Sequence, residues 1–255
     1  MLRPADRVRG VTLEICVDSL AGAAAAMAGG CDRIELCSAL PLGGLTPSAG
    51  LVQAVVALTR PAGVPVHAMV RPRAGGFDYD ASEWTVAAAE ARALVDEGVD
   101  GLVFGATKMR RLAAVDTAEW ISLLGQHRPA LTLHRAIDTV DDPVAAVEEA
   151  VALGFDHILT SGGATSAMAG AATIARMVVR AEGRCSIIAG AGVGPGNAAA
   201  LIEATGVAAL HGSASTAAEP KEDQFGFGPQ PRMTSAVVVK QLREVIDHQS
   251  NLGQL

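Results

Sequence analysis

Short apolar runs alternate with longer Ala-rich segments eight times along the chain. Runs rich in Val, Ile and Leu predict short strands, and the Ala-rich stretches after them have the length of helices. Such alternation is typical of a parallel sheet covered by helices, because each parallel strand needs a crossover connection. The predicted strands are 12–17, 33–37, 65–70, 101–104, 131–135, 157–160, 186–189 and 208–211, and the predicted helices are 19–30, 47–60, 82–98, 117–126, 141–153, 167–181, 195–205 and 234–248.

Three helix–strand junctions repeat one motif, in which a glycine stands two residues before an aspartate and the next strand follows. The motif is Gly30-Cys31-Asp32, Gly98-Val99-Asp100 and Gly154-Phe155-Asp156, and glycine is the usual residue just past a helix end. Helix starts are also marked: Asp18-Ser19 is expected to cap the first helix and Thr46-Pro47 the second.

Eight strand–helix units in 255 residues match the size of a (β/α)8 barrel, the TIM barrel. A doubly wound open sheet is the alternative, but no glycine fingerprint follows the first strand, which reads ICVDSLAG. We therefore expect one α/β domain over residues 1–255. Residues 216–233 hold three prolines and lack periodicity, so they predict an irregular loop before the final helix, 234–248.

Alternation along the strands separates side chains that point into the barrel from those that face the helices. In the first strand Leu13, Ile15 and Val17 suit the helix-facing side, which leaves Glu14 and Cys16 inside. The same pattern in the second, third and fifth strands places further polar and sulfur-bearing residues inside: Glu35, Cys37, His67, Met69, Arg71, Thr132 and His134.

This interior is unusually polar, because barrel interiors are normally filled by Val, Ile and Leu. Buried charges must be paired, since an isolated ion costs several kcal/mol. We expect Arg71 and Arg73 to supply the counter-charge for Glu14 and Glu35. The polarity is the strongest indication of function in the residue pattern.

Further polar groups stand at the carboxyl ends of the strands, where barrels place their sites. Gly-rich turns at 189–194 and 211–215 are typical of phosphate or carboxylate binding through backbone N–H groups, although glycine there can simply end a strand. The candidate ligand-binding residues are Arg71, Arg73, Ser161, Gly190, Gly192, His211 and Ser213.

Composition narrows the classes of partner. The net charge of −7 disfavours nucleic acids and anionic membranes, both of which need clustered Lys and Arg. No stretch approaches about 18 uninterrupted apolar residues, so neither a signal peptide nor a membrane span is expected. Four cysteines in a chain of this length do not make a disulfide framework, and a cytoplasmic protein with free thiols is expected.

Four long segments, in order, resemble the CutC family of copper homeostasis proteins: ELCSALPLGGLTPS, MVRPRAGGFDYDASE, LHRAIDTVDDP and HILTSGGATSA. The resemblance runs from about residue 12 to residue 215. It implies a TIM barrel, a cytoplasmic location and a homo-oligomer, a dimer or tetramer. It also implies Cu(I) binding by cysteines on the first two strands, which are Cys16 and Cys37 here.

The interior therefore admits two interpretations. In the first, Cys16 and Cys37 bind Cu(I), which favours soft ligands, and Met69 adds a thioether if the barrel stagger allows. The alternative to this interpretation is that the cysteines are only small, buried apolar residues. In the second, the barrel is an isomerase- or lyase-type enzyme for a small anionic or phosphorylated sugar-like substrate, with Glu14, Glu35, His134 and Asp138 as its catalytic residues. The alternative to this interpretation is that Glu14 and Glu35 only form structural ion pairs with Arg71 and Arg73.

Overall fold

A closed eight-stranded parallel barrel forms the centre of the protein. The computed structural model describes residues 10–125, 128–217 and 232–252. Each barrel strand pairs with its neighbours in the chain, and the last strand closes on the first. The strands are β1 (Thr12–Val17), β2 (Arg33–Leu36), β3 (Val66–Met69), β4 (Gly101–Phe104), β5 (Ala130–Leu133), β6 (His157–Thr160), β7 (Ser186–Ala189) and β8 (Ala209–Gly212).

Helices follow the strands and cover the outside of the barrel. Apolar side chains on the outer faces of the strands, Leu13, Ile15 and Leu131 among them, pack against the helices in one large buried cluster. The predicted barrel class is confirmed, and the predicted strands agree with the observed ones within two residues at each end. The helices are α1 (Leu20–Ala28), α2 (Ala49–Thr59), α3 (Ala81–Asp96), α4 (Ala114–Ser122), α5 (Ala146–Ala152), α6 (Ala171–Ala181), α7 (Ala198–Thr205) and α8 (Ala236–Leu252).

The repeated Gly-x-Asp motif has a structural role. Each glycine adopts a positive φ, between +82° and +88°, which ends the helix. Each aspartate then accepts a backbone N–H from the start of the preceding strand, at 2.7 to 2.9 Å. These bonds tie β2 to β1, β4 to β3 and β6 to β5: Asp32 to Leu13, Asp100 to Val66, and Asp156 to Leu131.

One predicted helix cap is right and the other is wrong. The Ser19 hydroxyl accepts the Gly22 N–H at the start of α1. At α2 the cap is Ser48, because Thr46 is engaged elsewhere. The Thr46 hydroxyl donates to Glu90 and accepts the Arg71 backbone N–H, so it ties the end of β3 to the neighbouring loop.

The segment 216–233 is only partly the irregular loop that its composition predicts. Ser215–Ala217 and Arg232–Thr234 pair as an antiparallel ribbon beside the barrel mouth; the prediction for 218–231 falls outside the described residues. Among the helices described, none combines the length and apolarity needed to cross a membrane.

Candidate metal and ligand site at the barrel mouth

A buried ion pair occupies the lumen of the barrel. Arg33 Nε lies 2.5 Å from Glu14 Oε2, and His211 Nδ1 lies 2.7 Å from the other oxygen, Glu14 Oε1. Burial acts to raise the pKa of the Glu14 carboxyl, but Arg33 and His211 outweigh it and hold that pKa far below its usual value. Glu14 is therefore a carboxylate with both oxygens engaged.

The stagger of the barrel sets Glu14 and Cys16 of β1 one layer lower than Glu35 and Cys37 of β2, respectively. Closing a barrel shifts the register between neighbouring strands, and here Glu14 lies opposite Arg33 while Cys16 lies opposite Glu35. The two glutamates and the two cysteines are consequently not level with each other. Cys37 stands one layer nearer the mouth than Cys16.

Three potential metal-ligand atoms converge where β1, β2 and β8 meet. Donor atoms of Cys16, Glu35 and His211 all lie within 4.8 Å of one another. His211 Nε2 is 3.8 Å from Glu35 Oε2, while its Nδ1 is engaged by Glu14. This grouping contains Cys16 but not Cys37, so it differs from the predicted pair of thiols.

The protonation of this group follows from its neighbours. Burial acts to lower the pKa of His211, but the nearby Glu35, Cys16 and Glu14 outweigh it and raise that pKa well above its usual value. Burial raises the pKa of Glu35, with Glu14 adding to the effect and His211 opposing it. A metal ion would therefore have to displace the proton of the imidazolium to bind at His211.

Cys37 and Met69 lie together in a small apolar cluster with Val103. Cys37 is fully buried, and its Sγ donates a hydrogen bond of 3.5 Å to Glu35 Oε2. Burial and the Glu35 charge raise the pKa of the Cys37 thiol well above its usual value. The Glu35 carboxylate therefore lies near both thiols: it is within 4.8 Å of Cys16 Sγ, and it accepts the hydrogen bond from Cys37 Sγ.

Two histidines fill the lower lumen beside the ion pair. The rings of His67 and His157 lie 5.7 Å apart, and Arg33 Nη1 is 3.3 Å from His157 Nε2. A Cβ at Gly101 would lie 2.5 Å from the His67 ring, so only glycine leaves room for that ring. Burial and the positive charge of Arg33 hold the pKa of His67 well below its usual value.

Sequence reasoning missed Arg33 and His157. The parity that places Glu35 inside the barrel also places Arg33 inside, so the signal was available in the second strand. His157 required the same test on the sixth strand. Arg33 corrects the predicted counter-charge: it pairs with Glu14, whereas Arg71 and Arg73 pair with neither glutamate among the described residues.

A cavity of about 720 Å³ opens above this lumen at the carboxyl ends of the strands. Cys16, Glu35 and His211 lie on one side of it, and Arg71 and His134 also line it. Apolar side chains make up much of its wall. The remaining walls include Leu40, Pro41, Met69, Phe77 and Leu159, with Gly192 and Val193 after β7, Ser213 after β8, and Arg232 from the antiparallel ribbon.

Arg71 and His134 face the cavity on either side of Phe77. The His134 ring lies 4.8 Å from the Phe77 ring, and the Arg71 guanidinium lies 5.1 Å from the Phe77 centroid. A Cβ at Gly105 would lie 2.7 Å from His134 Nδ1, so glycine there admits the imidazole. Burial, aided by Arg71, lowers the pKa of His134 to about 3.

Several predicted ligand residues lie away from the cavity wall. Arg73 pairs with Glu83 outside the cavity, so it does not provide a second positive charge beside Arg71 for binding an anion. Ser161 is buried and binds Asp138 and Ala164. Gly190 is not part of the wall, although Gly192 and Ser213 are.

Asp138 is fully engaged in holding the loop after β6. Its carboxylate accepts hydrogen bonds from the Thr160 and Ser161 hydroxyls and from the backbone N–H groups of Ser161 and Gly163. Arg135 adds an ion pair at 2.9 Å. Of the four predicted catalytic residues, Glu35 and His134 line the cavity, Glu14 lies beneath it, and Asp138 supports a loop behind it.

The fold and the site together define a class: a (β/α)8 barrel with a polar lumen and a thiol-containing ligand cluster at its mouth. The CutC family model matches residues 11–216. This chain belongs to the CutC family, as its motifs predict.

Relatives of known name share most of the chain. A family protein CutC from Sinorhizobium medicae is 43% identical over 244 residues, 93% of this chain and 96% of the relative. The human copper homeostasis protein cutC homolog is 41% identical over 82% of this chain and 76% of its own length. The solved structure of CutC from Streptococcus agalactiae superposes with a TM-score of 0.75 at 27% identity, covering 80% of this chain and 98% of that one.

Proposed function

We propose that this protein acts in copper homeostasis and binds one Cu(I) ion at the floor of the mouth cavity. The observation that carries the proposal is the convergence of Cys16, Glu35 and His211 donor atoms within 4.8 Å. In this proposal Cys16 Sγ and His211 Nε2 ligate the ion, and Cys37 adds the second thiolate. The name of the human relative supports copper as the metal.

Glu14 prepares His211 for metal binding. Metal-ligating histidines commonly donate their other ring N–H to a carboxylate, which fixes the tautomer and orients the ring. Glu14 Oε1 accepts such a bond from His211 Nδ1 at 2.7 Å, which leaves Nε2 directed toward the cluster. Arg33 holds Glu14 in turn.

Glu35 is suited to take up protons as the thiols bind the metal. Cu(I) prefers thiolate and imidazole ligands to carboxylate oxygen, so Glu35 is not assigned as a ligand. Its Oε2 already accepts the Cys37 S–H, and cysteine must lose its proton to bind a metal. Met69 packs beside Cys37, so its thioether lies next to the proposed sulfur ligand.

A proton-transfer enzyme is the weaker candidate. Its four predicted residues do not all reach the same cavity. Arg33 and His211 hold Glu14 below the cavity, and the carboxylate of Asp138 is hydrogen-bonded to the loop after β6. Glu35 and His134 line the cavity, and they are the two residues on which such an activity would depend.

We also propose a cytoplasmic location and a homo-oligomeric state, both expected from the family resemblance. All four cysteines are free thiols in the structure. A reducing compartment would keep them so, and Cu(I) binding by Cys16 requires it.

A Cu(I) titration against a competing chelator under anaerobic conditions tests the proposal. Wild type is expected to bind one Cu(I) per chain, and Cys16→Ser is expected to weaken binding by about 100-fold or more. Cys37→Ser should weaken it in the same direction. The matched control is Cys185→Ser, because Cys185 is also buried but precedes β7 at the opposite end of the barrel.

The control is expected to bind as wild type does. Micromolar or weaker binding that Cys16→Ser leaves unchanged would contradict the proposed site. Equal losses in Cys16→Ser and Cys185→Ser would show a folding effect instead of a ligand, and would count against the assignment equally.

A further inference from the structure

Arg71 is a buried guanidinium without a carboxylate partner among residues 10–125, 128–217 and 232–252. The side chain is only 6% exposed. Its two Nη atoms donate to the backbone carbonyls of Leu42, Gly44 and Gly75 at 2.8 to 3.0 Å; its Nε makes no well-formed hydrogen bond in the described chain, and the Tyr79 hydroxyl beside the guanidinium is neutral. Carbonyl oxygens satisfy hydrogen bonds but do not neutralise the charge, and a buried charge needs a counter-ion.

His134 presents a donor with no partner beside that charge. Its Nδ1 accepts the Ala136 backbone N–H at 3.1 Å, so the neutral ring carries its hydrogen on Nε2. The ring is 97% buried, since 3% is exposed, and Nε2 meets no acceptor in the part of the chain that the structure describes. Buried polar groups are normally paired, so an acceptor beyond the described residues is the expected partner.

Phe77 joins the two groups into one wall of the cavity. The guanidinium of Arg71 and the imidazole of His134 both lie against the Phe77 ring. Apolar side chains, Met69 and Leu159 among them, continue the wall. This wall offers a positive charge and an N–H donor to an anionic group, and an apolar surface to the rest of the molecule that carries it.

The charges around the cavity agree with an anionic occupant. Arg135 is neutralised by Asp138, but Arg232 binds only the Ser215 hydroxyl and carbonyl in the described residues. Arg71 and Arg232 on the wall therefore have no carboxylate partner among the described residues. Within the described part of the wall the acidic side chains are Asp18 and Glu35, and Glu35 lies 3.8 Å from the His211 ring.

We propose that the mouth cavity binds a small organic anion, whose carboxylate or phosphate group is held by Arg71 and His134 and whose apolar part lies against Phe77 and Leu159. Arginine suits such groups because its planar donors match their oxygens. The proposed anion contacts use Arg71 and His134, neither of which is a proposed copper ligand, so the copper-free protein is expected to bind the anion.

Calorimetric titration of the copper-free protein with three probes tests the inference: inorganic phosphate, acetate and benzoate, with sodium chloride at matched ionic strength. Benzoate is expected to bind about tenfold more tightly than acetate, because its ring buries apolar surface. The phosphate and carboxylate arms distinguish the two anionic groups. Binding of either above the chloride background supports the site.

Two variants and one control locate the binding. Arg71→Met and His134→Asn are each expected to weaken it by about tenfold or more. Asn keeps an oxygen for the Ala136 N–H but brings no donor to the Nε2 position, so this variant retains the local turn if Arg71→Met fails to fold. Arg73→Met is the control, because Arg73 stands two residues from Arg71 but pairs with Glu83 outside the cavity.

The control should bind within about twofold of wild type. Absence of binding by all three probes would overturn the inference. Equal weakening by Arg73→Met and His134→Asn would do so as well, because it would show a general charge effect.

Discussion

Replacing Arg33 with methionine is expected to lower the free energy of unfolding by about 3–5 kcal/mol. The substitution leaves the fully buried Glu14 carboxylate without its closest cation, and His211 alone must then compensate for it. Removing one partner of a buried pair is costly because the other charge stays away from water. Chemical denaturation at neutral pH measures the loss.

Arg110→Met is the matched control for Arg33→Met. Arg110 pairs with Asp141, but their side chains are 70% and 67% exposed, so the loss there should be about 0–1 kcal/mol. Equal losses in the two variants would contradict a lumen organised around the Glu14–Arg33 pair. The double variant Glu14→Gln/Arg33→Met should recover part of the lost stability, because it leaves no unpaired charge.

The stability of the protein is expected to fall as the pH drops below about 6.5, and His134 is a main cause. The folded-state pKa of His134 is lowered to about 3, whereas an unfolded histidine titrates near 6.5. Between these values the unfolded chain binds one more proton than the folded chain, so acid favours unfolding. The effect of this one group is about 5 kcal/mol.

His134→Asn isolates that contribution. The variant is expected to show a shallower loss of stability between pH 6.5 and 3, even if it is less stable than wild type at pH 7. His67, whose pKa is also lowered, acts in the same direction and keeps some slope in the variant. An unaltered slope in His134→Asn would refute the assignment.

His211 acts in the opposite sense. Its pKa is raised in the folded protein, so its stabilising contribution is present below an unfolded pKa of about 6.5 and is lost as the pH rises through the folded value. Among the described residues, Glu14, Glu35 and Cys16 face its ring, and Arg33 lies beyond Glu14.

The barrel and the facing of its strands could be predicted because both depend on local patterns. Alternation of apolar and polar residues placed Glu14, Cys16, Glu35 and Cys37 inside, and the structure puts all four in the lumen or its upper layer. The family could be predicted from four long motifs, since these extend over most of the strands and loops.

The inward or outward direction of each side chain does not reveal that Cys16, Glu35 and His211 lie together, because their heights depend on the register between strands. Parity places Glu14, Cys16, Glu35 and Cys37 inside without saying which of them are level, and the stagger sets Cys16 opposite Glu35. Arg33 was accessible to the same parity test and was overlooked. The placement of Arg71 depends on three loop carbonyls, which no strand pattern encodes.

The most direct test of the copper site is a crystal structure of the Cu(I)-loaded protein, with anomalous diffraction at the copper absorption edge. One copper peak is expected at the floor of the mouth cavity, bound by Cys16 Sγ, His211 Nε2 and Cys37 Sγ. A copper peak at Cys31 or Cys185, or no peak within bonding distance of Cys16, would contradict it.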